Sequence, residues 1–277
     1  MNIRFVVFHT GVDTLGLYLP LMRVSQEALA VTNPGARYVV LTDRATAPKL
    51  EKEFEVEVLA PRAPLMVQYV EAQRAYERKA EPGLVVLAAT DCVANRDLST
   101  TLAHGVAVTY RNRGKNLINN IAYICDHDRA AWFLKRALDM MRPHEYHFWG
   151  DQQSWEDALG PSENWERLDD REEGLRVASP DGCEIYLYPC RSHNYFVKRS
   201  GAFSEAAKRA FLVHFKGTRK YNMVRSVRAN ILGHNVPGEW LKPTGNEPPL
   251  PMELRRLRLE GECGSSLSEI RDIGDKN

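Results

Sequence analysis

The run Leu84-Val85-Val86-Leu87-Ala88-Ala89 is apolar at odd and even positions alike, and it ends in the polar pair Thr90-Asp91. A strand with one wet face alternates, so a segment apolar on both parities belongs at the centre of a sheet covered on both sides. Its neighbours supply the covering. Ile3 to His9 reads as a strand, Leu21 to Ala30 as a helix with Pro20 at its start, and Arg37 to Thr42 as a second strand ending at Asp43. Phe54, Val56 and Val58 alternate with Glu53, Glu55 and Glu57, which predicts a strand near a sheet edge. Pro64 opens a helix over Leu65 to Lys79, stopped by Pro82 and Gly83. Repeating β-α units around a buried strand predict a three-layer α/β/α sandwich, with a ligand site beyond the carboxyl ends of the strands. Asp43 and Asp91 both stand at such ends.

Further on, Val106 to Tyr110 and Leu117 to Ile124 read as strands, Arg129 to Met141 as an amphipathic helix, and Gln152 to Leu159 as a short helix ended by Gly160. Glu184 to Tyr188 and Phe211 to Phe215 are strand-like, and Tyr221 to Leu232 is a helix with Gly233 as its cap. One domain is expected over residues 1–235. From Pro237 prolines recur, so residues 236–277 read as an extension with a frayed tail. Within it Met252 to Leu259 interleaves apolar residues with Arg255, Arg256 and Arg258. That segment suits packing on the domain, a subunit contact or an anionic membrane surface.

Of the 277 residues 44% are hydrophobic and 26% charged, the balance of a folded protein. Lys plus Arg number 37 and Asp plus Glu 36, a formal charge of +1, so no bulk field gathers polyanions and nucleic acid is not an expected partner. No apolar stretch is long enough to span a bilayer, and the N-terminus lacks the layout of a signal peptide. The five cysteines, Cys92, Cys125, Cys183, Cys190 and Cys263, form no CxxC pair. They read as thiols of a reducing compartment, and the expected location is cytoplasmic, with peripheral contact at the inner membrane face through the basic segment.

Three segments carry chemistry. Asp91 at the tip of a buried strand, followed by a short polar turn, can hold a divalent cation that also binds a diphosphate; alternatively Asp91 and Asp97 cap the turns that follow. Val213-His214-Phe215-Lys216-Gly217-Thr218-Arg219-Lys220 places an imidazole, a glycine that permits close backbone approach, and three cations at a strand end. The bland alternative is a solvated basic turn. Phe148-Trp149-Gly150-Asp151-Gln152-Gln153 offers a carboxylate, amides and an aromatic face for a sugar, although Asp151 also suits a helix N-cap. Asn119-Asn120 puts two amides into an otherwise apolar strand, where buried amides need partners.

In this order the segments resemble the GT-A glycosyltransferases, in particular the retaining glycogenin and lipopolysaccharide-galactosyltransferase type, family 8. The matching stretches are Ala89-Thr90-Asp91 for the acidic motif, Ile118-Asn119-Asn120, Gly150-Asp151-Gln152, and His214 to Lys220 for a His-x-x-Gly-x-x-Lys motif, over roughly residues 3 to 225. The resemblance implies a GT-A sandwich with a mixed sheet. It implies transfer of a sugar from a nucleotide-diphosphate donor, UDP foremost, to a glycan or glycolipid acceptor in surface polysaccharide or glycolipid assembly. By the same likeness Asp91 and His214 would ligate Mn²⁺ or Mg²⁺, Lys220 and the backbone at Gly217 would hold the diphosphate, and Asp151, Gln152 and Asn119 would serve the transferred sugar. His9, Thr10, Gly11, Asp43 and Thr90 would line the nucleotide, and Arg74 would brace the acidic motif.

Two positions depart from that pattern. Ala89 stands where the motif has its first carboxylate, which removes one oxygen ligand, and Tyr221-Asn222 replaces Pro-Trp after Lys220. Lys216, Arg219 and Lys220 then carry more of the phosphate charge. Three alternatives remain open: an inverting transferase with Asp151 as base, a binding module without activity, and a sugar-phosphate nucleotidyltransferase. The last is disfavoured because Phe8 to Asp13 lacks a glycine-rich basic loop.

Overall fold

A computed structural model describes residues 1–59, 65–78, 81–101, 105–112, 116–144, 150–161, 166–171, 174–178, 182, 184–197 and 203–234. The first part of the chain runs β1 (Ile3–Phe8), α1 (Leu15–Thr32), β2 (Arg37–Asp43), the single turn α2 (Ala47–Leu50), β3 (Glu55–Leu59), α3 (Leu65–Glu77) and β4 (Leu84–Ala88). The middle adds β5 (Cys92–Ala94), β6 (Val106–Asn112), β7 (Asn116–Ile124), α4 (His127–Met140), α5 (Gly150–Leu159), β8 (Glu166–Arg171) and β9 (Gly174–Ala178). Last come β10 (Glu184–Pro189), α6 (Cys190–His193), β11 (Tyr195–Phe196), α7 (Glu205–Arg209), β12 (Leu212–His214) and α8 (Lys220–Asn230).

Nine of the described strands form one mixed sheet in the order β3-β2-β1-β4-β7-β6-β10-β9-β8. The first four are parallel, β7 runs against both β4 and β6, and β10 is parallel to β6. Every residue of β4 is buried, as its unbroken apolar run predicts. Alternate residues then sort to two faces. Val6, Val39, Leu41, Val85 and Leu87 pack with Tyr69, Val70, Phe133, Leu134 and Trp155 of α3, α4 and α5. Phe5, Val7, Tyr38, Val40, Leu84 and Val86 pack on the other face with Leu15, Met22 and Leu29 of α1. The result is the α/β/α sandwich the periodicity predicts.

A second sheet, β11-β12-β5, stands apart from the first. Its β5 departs from expectation, since the residues after Asp91 are not a polar turn: Cys92, Val93 and Ala94 are fully buried and pair antiparallel with His214, Val213 and Leu212. Asp97 does cap, accepting from Ser99 N at 2.9 Å at the head of a 3-10 turn.

Other differences have local causes. The first helix begins at Leu15, so Pro20 lies inside it. Proline forfeits one helical bond, to the carbonyl of Gly16. Both Gly16 and Pro20 are exposed, so that carbonyl is open to solvent. At the sheet edge β3 is only partly alternating: Val58 is 47% exposed, while Glu55 pairs with Arg37 of β2. The hairpin of β8 and β9 was not expected, because Glu166 to Arg171 is almost wholly polar and its strand character comes from backbone pairing. No helix among the described residues is long and apolar enough to cross a membrane. Cys92, Cys125 and Cys190 are free thiols. The expected extension, 236–277 with its arginine-rich segment, lies outside the described residues, as does Trp149.

Candidate functional site

The register of β5 against β12 sets Cys92 opposite His214, and Phe215 N donates to the carbonyl of Asp91 at 2.9 Å. That pairing carries an acid at the end of the large sheet to an imidazole far along the chain. His214 Nε2 lies 3.1 Å from Asp91 Oδ1, and the Lys220 ammonium lies 3.3 Å from Oδ2. Both Asp91 and His214 are buried, at 5% and 2% exposure. Burial alone would raise the Asp91 carboxyl, but Lys220 and His214 overcome it and hold the group well below the usual carboxylate range. At this separation and an effective dielectric near 20, the lysine contributes about 5 kcal/mol of attraction before desolvation.

Lys220 is the first residue of α8, where the helix dipole opposes a cation. Asp91 offsets that, and Tyr18 completes the seat, its hydroxyl 3.2 Å and its ring centre 5.0 Å from Nζ. The turn just before the helix starts at Gly217, whose φ of +62° is left-handed and whose missing Cβ would meet nothing within 4 Å. A side chain there would be strained, and its absence leaves backbone open beside the lysine.

On its far side, His214 Nδ1 faces Asn194 Oδ1 at 3.0 Å, and Asn194 Nδ2 donates to Thr109 Oγ1 at 3.3 Å. Burial lowers His214 to about 4 against the pull of Asp91, so the ring is neutral near pH 7. In the tautomer with its proton on Nδ1, donated to Asn194, the Nε2 lone pair points at a carboxylate oxygen; in the other, Nε2–H donates to Asp91 and helps hold that carboxyl low. In the first tautomer two lone-pair donors face each other at a distance that suits a shared cation, and a partner on the far ring nitrogen is how metal-bound histidines are held. The sulfur of Cys92 is also near, the three ligand atoms lying within 4.8 Å of one another. Cys92 packs in the apolar layer, however, and burial followed by the charge of Asp91 pushes its thiol well above its ordinary value. The donor pair is therefore Asp91 and His214. Ala89 adds no ligand, so phosphate oxygens and water would supply the rest of a Mg²⁺ or Mn²⁺ shell.

The remaining predicted residues fall into two groups. Asn119 is buried, accepts from Lys216 Nζ at 3.1 Å, and donates to Cys190 Sγ at 3.3 Å. Lys216 in turn acts on Asp91, which ties Asn119 to the cluster. Asp151 is 3% exposed in the first turn of α5. Burial, then the charges of Asp151 and Asp91, push the Tyr69 phenol well above its ordinary value, so one buried hydroxyl senses both acids. Gly150 is set by packing: a Cβ would come within 2.1 Å of the His144 carbonyl.

At the end of β1, His9 is lowered to about 4 by burial, within reach of both Asp43 and Lys220, and its ring leans on Tyr18 at 5.0 Å. The loop after it is tied down by Gly11 N, which donates to Asp43 Oδ2 at 3.2 Å and to Thr46 Oγ1 at 3.0 Å. Asp43 further accepts from the backbone of Ala45 and Thr46, each at 2.8 Å, so its visible task is to shape the loop. Thr10 offers its carbonyl to the Thr14 hydroxyl at 3.5 Å. Thr90 is buried beside Asp91. Among the described residues neither Gln152 nor Arg74 makes a hydrogen bond or ion pair to the cluster; the buried face of α3 toward the core carries Tyr69 and Gln73 instead. Tyr18, Tyr69, Thr109 and Asn194 went unnoticed in the sequence, where no spacing marks them.

No family model and no curated protein matches the chain. In three dimensions it is similar to a glycosyltransferase involved in the glycosylation of the major capsid of PBCV-1, at 13% identity and a TM-score of 0.52, over 83% of this chain and 100% of that one. The fold is that of a glycosyltransferase. At that identity the likeness speaks for architecture, and the chemistry rests on the side chains gathered around Asp91.

Proposed function

We propose that the chain transfers a sugar from a nucleotide-diphosphate donor, UDP-linked, to an acceptor hydroxyl of a glycan or glycolipid, in the manner of the retaining family 8 enzymes. The observation that carries this reading is the convergence of Asp91, His214 and Lys220, with the open backbone of Gly217 in the turn just before that lysine. A leaving diphosphate needs fixed positive charge where its own negative charge grows. Lys220 is held there by Asp91 and Tyr18, and the N-terminus of α8 points the same way. Asp91 and His214 would hold Mn²⁺ or Mg²⁺, which would add Lewis-acid stabilisation of the leaving phosphate. The loop from His9 to Gly11 would receive the nucleoside, and Asp151 and Asn119 the transferred sugar. With retention, the departing phosphate takes the acceptor proton on its own face. Gln152 has a place in this scheme only if donor binding turns it inward.

Incubation with a panel of nucleotide sugars, with and without Mn²⁺, tests the reading. Hydrolysis or transfer from at least one donor is expected, and the anomeric configuration of the product decides retention. Tight nucleotide binding without turnover of any donor would instead mark a binding module.

A further inference from the structure

We infer that the outer face of α1 is a dimer interface, over which a second copy of the chain lies antiparallel about a two-fold axis. This inference stands apart from the donor reading. A helix that covers a sheet turns charged and polar residues outward. Of the 18 residues of α1 two are charged, Arg23 and Glu27. The exposed positions are Gly16, Pro20, Arg23, Glu27, Ala30 and Val31, a stripe whose steps of four and three residues are those of a seam between paired helices. Val31 is 60% exposed, and Val12, just before the helix, 41%. Along this face runs a groove of about 480 Å³, lined by Leu15, Gly16, Leu19, Pro20 and Arg23 together with Lys49 of α2. A Cβ at Gly16 would meet nothing within 4 Å, so a neighbouring backbone can approach closely. Apolar surface left uncovered in this way marks a contact with a partner.

Charge decides what covers the face. Among the described residues that line the groove none is acidic. Glu27 and Lys49 are both exposed, and neither side chain has a hydrogen bond or ion pair among the described residues, whereas Arg23 is held by Glu53. A two-fold axis at the level of Ser25 sets positions equally far from it against each other: 23 against 27, 20 against 30 and 19 against 31. Glu27 of the partner subunit then comes to Arg23, on the groove that Lys49 also lines, while the partner's Ala30 and the partner's Val31 cover Pro20 and Leu19. The acid and the cation-lined groove stand on one stripe of one helix, so a single symmetric contact satisfies both, twice over. An anionic lipid surface would instead meet Glu27 with like charge.

The test is sedimentation equilibrium of the full chain over a range of concentrations, in low and in high salt. Monomer and dimer in equilibrium are expected, with less dimer at high salt. In a symmetric contact each substitution acts twice, so Glu27→Lys should raise the dissociation constant at least about ten-fold. Adding Lys49→Glu to the same chain should recover part of that loss, which a mere folding defect would not allow. Gly16→Gln puts a side chain into the groove and should likewise favour the monomer. Circular dichroism at a dilution where every form is monomeric checks that the variants fold. A chain that stays monomeric at all concentrations would overturn the inference. So would a dimer that neither Glu27→Lys nor Gly16→Gln weakens, because the contact would then lie on another face. Binding of a monomeric chain to phosphatidylglycerol vesicles, lost in Gly16→Gln, would assign the face to a lipid surface and overturn it as well.

Discussion

Lys220 Nζ stands 3.3 Å from Asp91 Oδ2, and these two residues, far apart along the chain, hold a buried charge pair. Removing one member of such a pair costs more than removing both, because the survivor keeps its desolvation penalty. Lys220→Met should lower stability by about 3 kcal/mol, and Asp91→Asn in the same chain should restore part of it. Urea midpoints of the two singles and the double give the coupling. Strict additivity would mean that the pair does not exist in solution.

The histidines set an acid limit. His9, His193 and His214 are each lowered to about 4 by burial. Unfolded, each would titrate near ~6.5. Between those values the unfolded chain binds the protons and the folded chain refuses them, so stability falls as pH drops from ~6.5 toward 4. His127, raised by Glu77, works in the opposite sense. Denaturant midpoints across this range should decline, and His193→Gln should flatten the slope. A flat wild-type profile would refute the buried neutral state.

Gly150 admits no side chain. In Gly150→Ala the new methyl would meet the His144 carbonyl at 2.1 Å, and backbone there has to move. A loss of about 2 kcal/mol is expected, of the size seen for overpacking. Since Asp151 is the next residue, donor turnover should fall further than stability explains. Equal thermal midpoints for variant and parent would show that the His144 carbonyl yields to the methyl without cost.

Asn194 Oδ1 lies 3.0 Å from His214 Nδ1, where it would hold the ring with its proton on Nδ1 when Nε2 binds a cation. Asn194→Leu keeps the volume and removes the acceptor, so Mn²⁺ affinity should fall about 10- to 100-fold, the range for lost partners of a metal-bound histidine. Electron paramagnetic resonance of free Mn²⁺ reads this without any substrate. Unaltered affinity would mean that Asp91 and His214 do not share a cation.

How much of this was legible beforehand depends on whether a residue's role is local. The run from Leu84 to Ala89 announced a central strand because burial on both faces leaves its mark at every position, and Asp91 followed as its tip. His214, Gly217 and Lys220 were visible as a short motif. What escaped is whatever depends on partners distant in sequence. Cys92 to Ala94 looked like a turn because three residues are too few to show a period, and only their pairing with β12 makes them a strand. Asn194 and Tyr18 matter through contacts with His214 and Lys220, which a linear reading does not display. Arg74 was placed by likeness at the acidic motif, whereas the helix turns Tyr69 and Gln73 inward.

The three-stranded sheet has a meaning beyond packing. Its hydrogen-bonded ladder fixes the backbone spacing between acid and imidazole, so their separation is held with the tolerance of a backbone, not of two flexible side chains. Side chains on a strand alternate, and a slip of one position between β5 and β12 would swing His214 into the oily interior and offer Val213 or Phe215 to the carboxylate. A minor element of three short strands thereby acts as the gauge that sets Asp91 against His214.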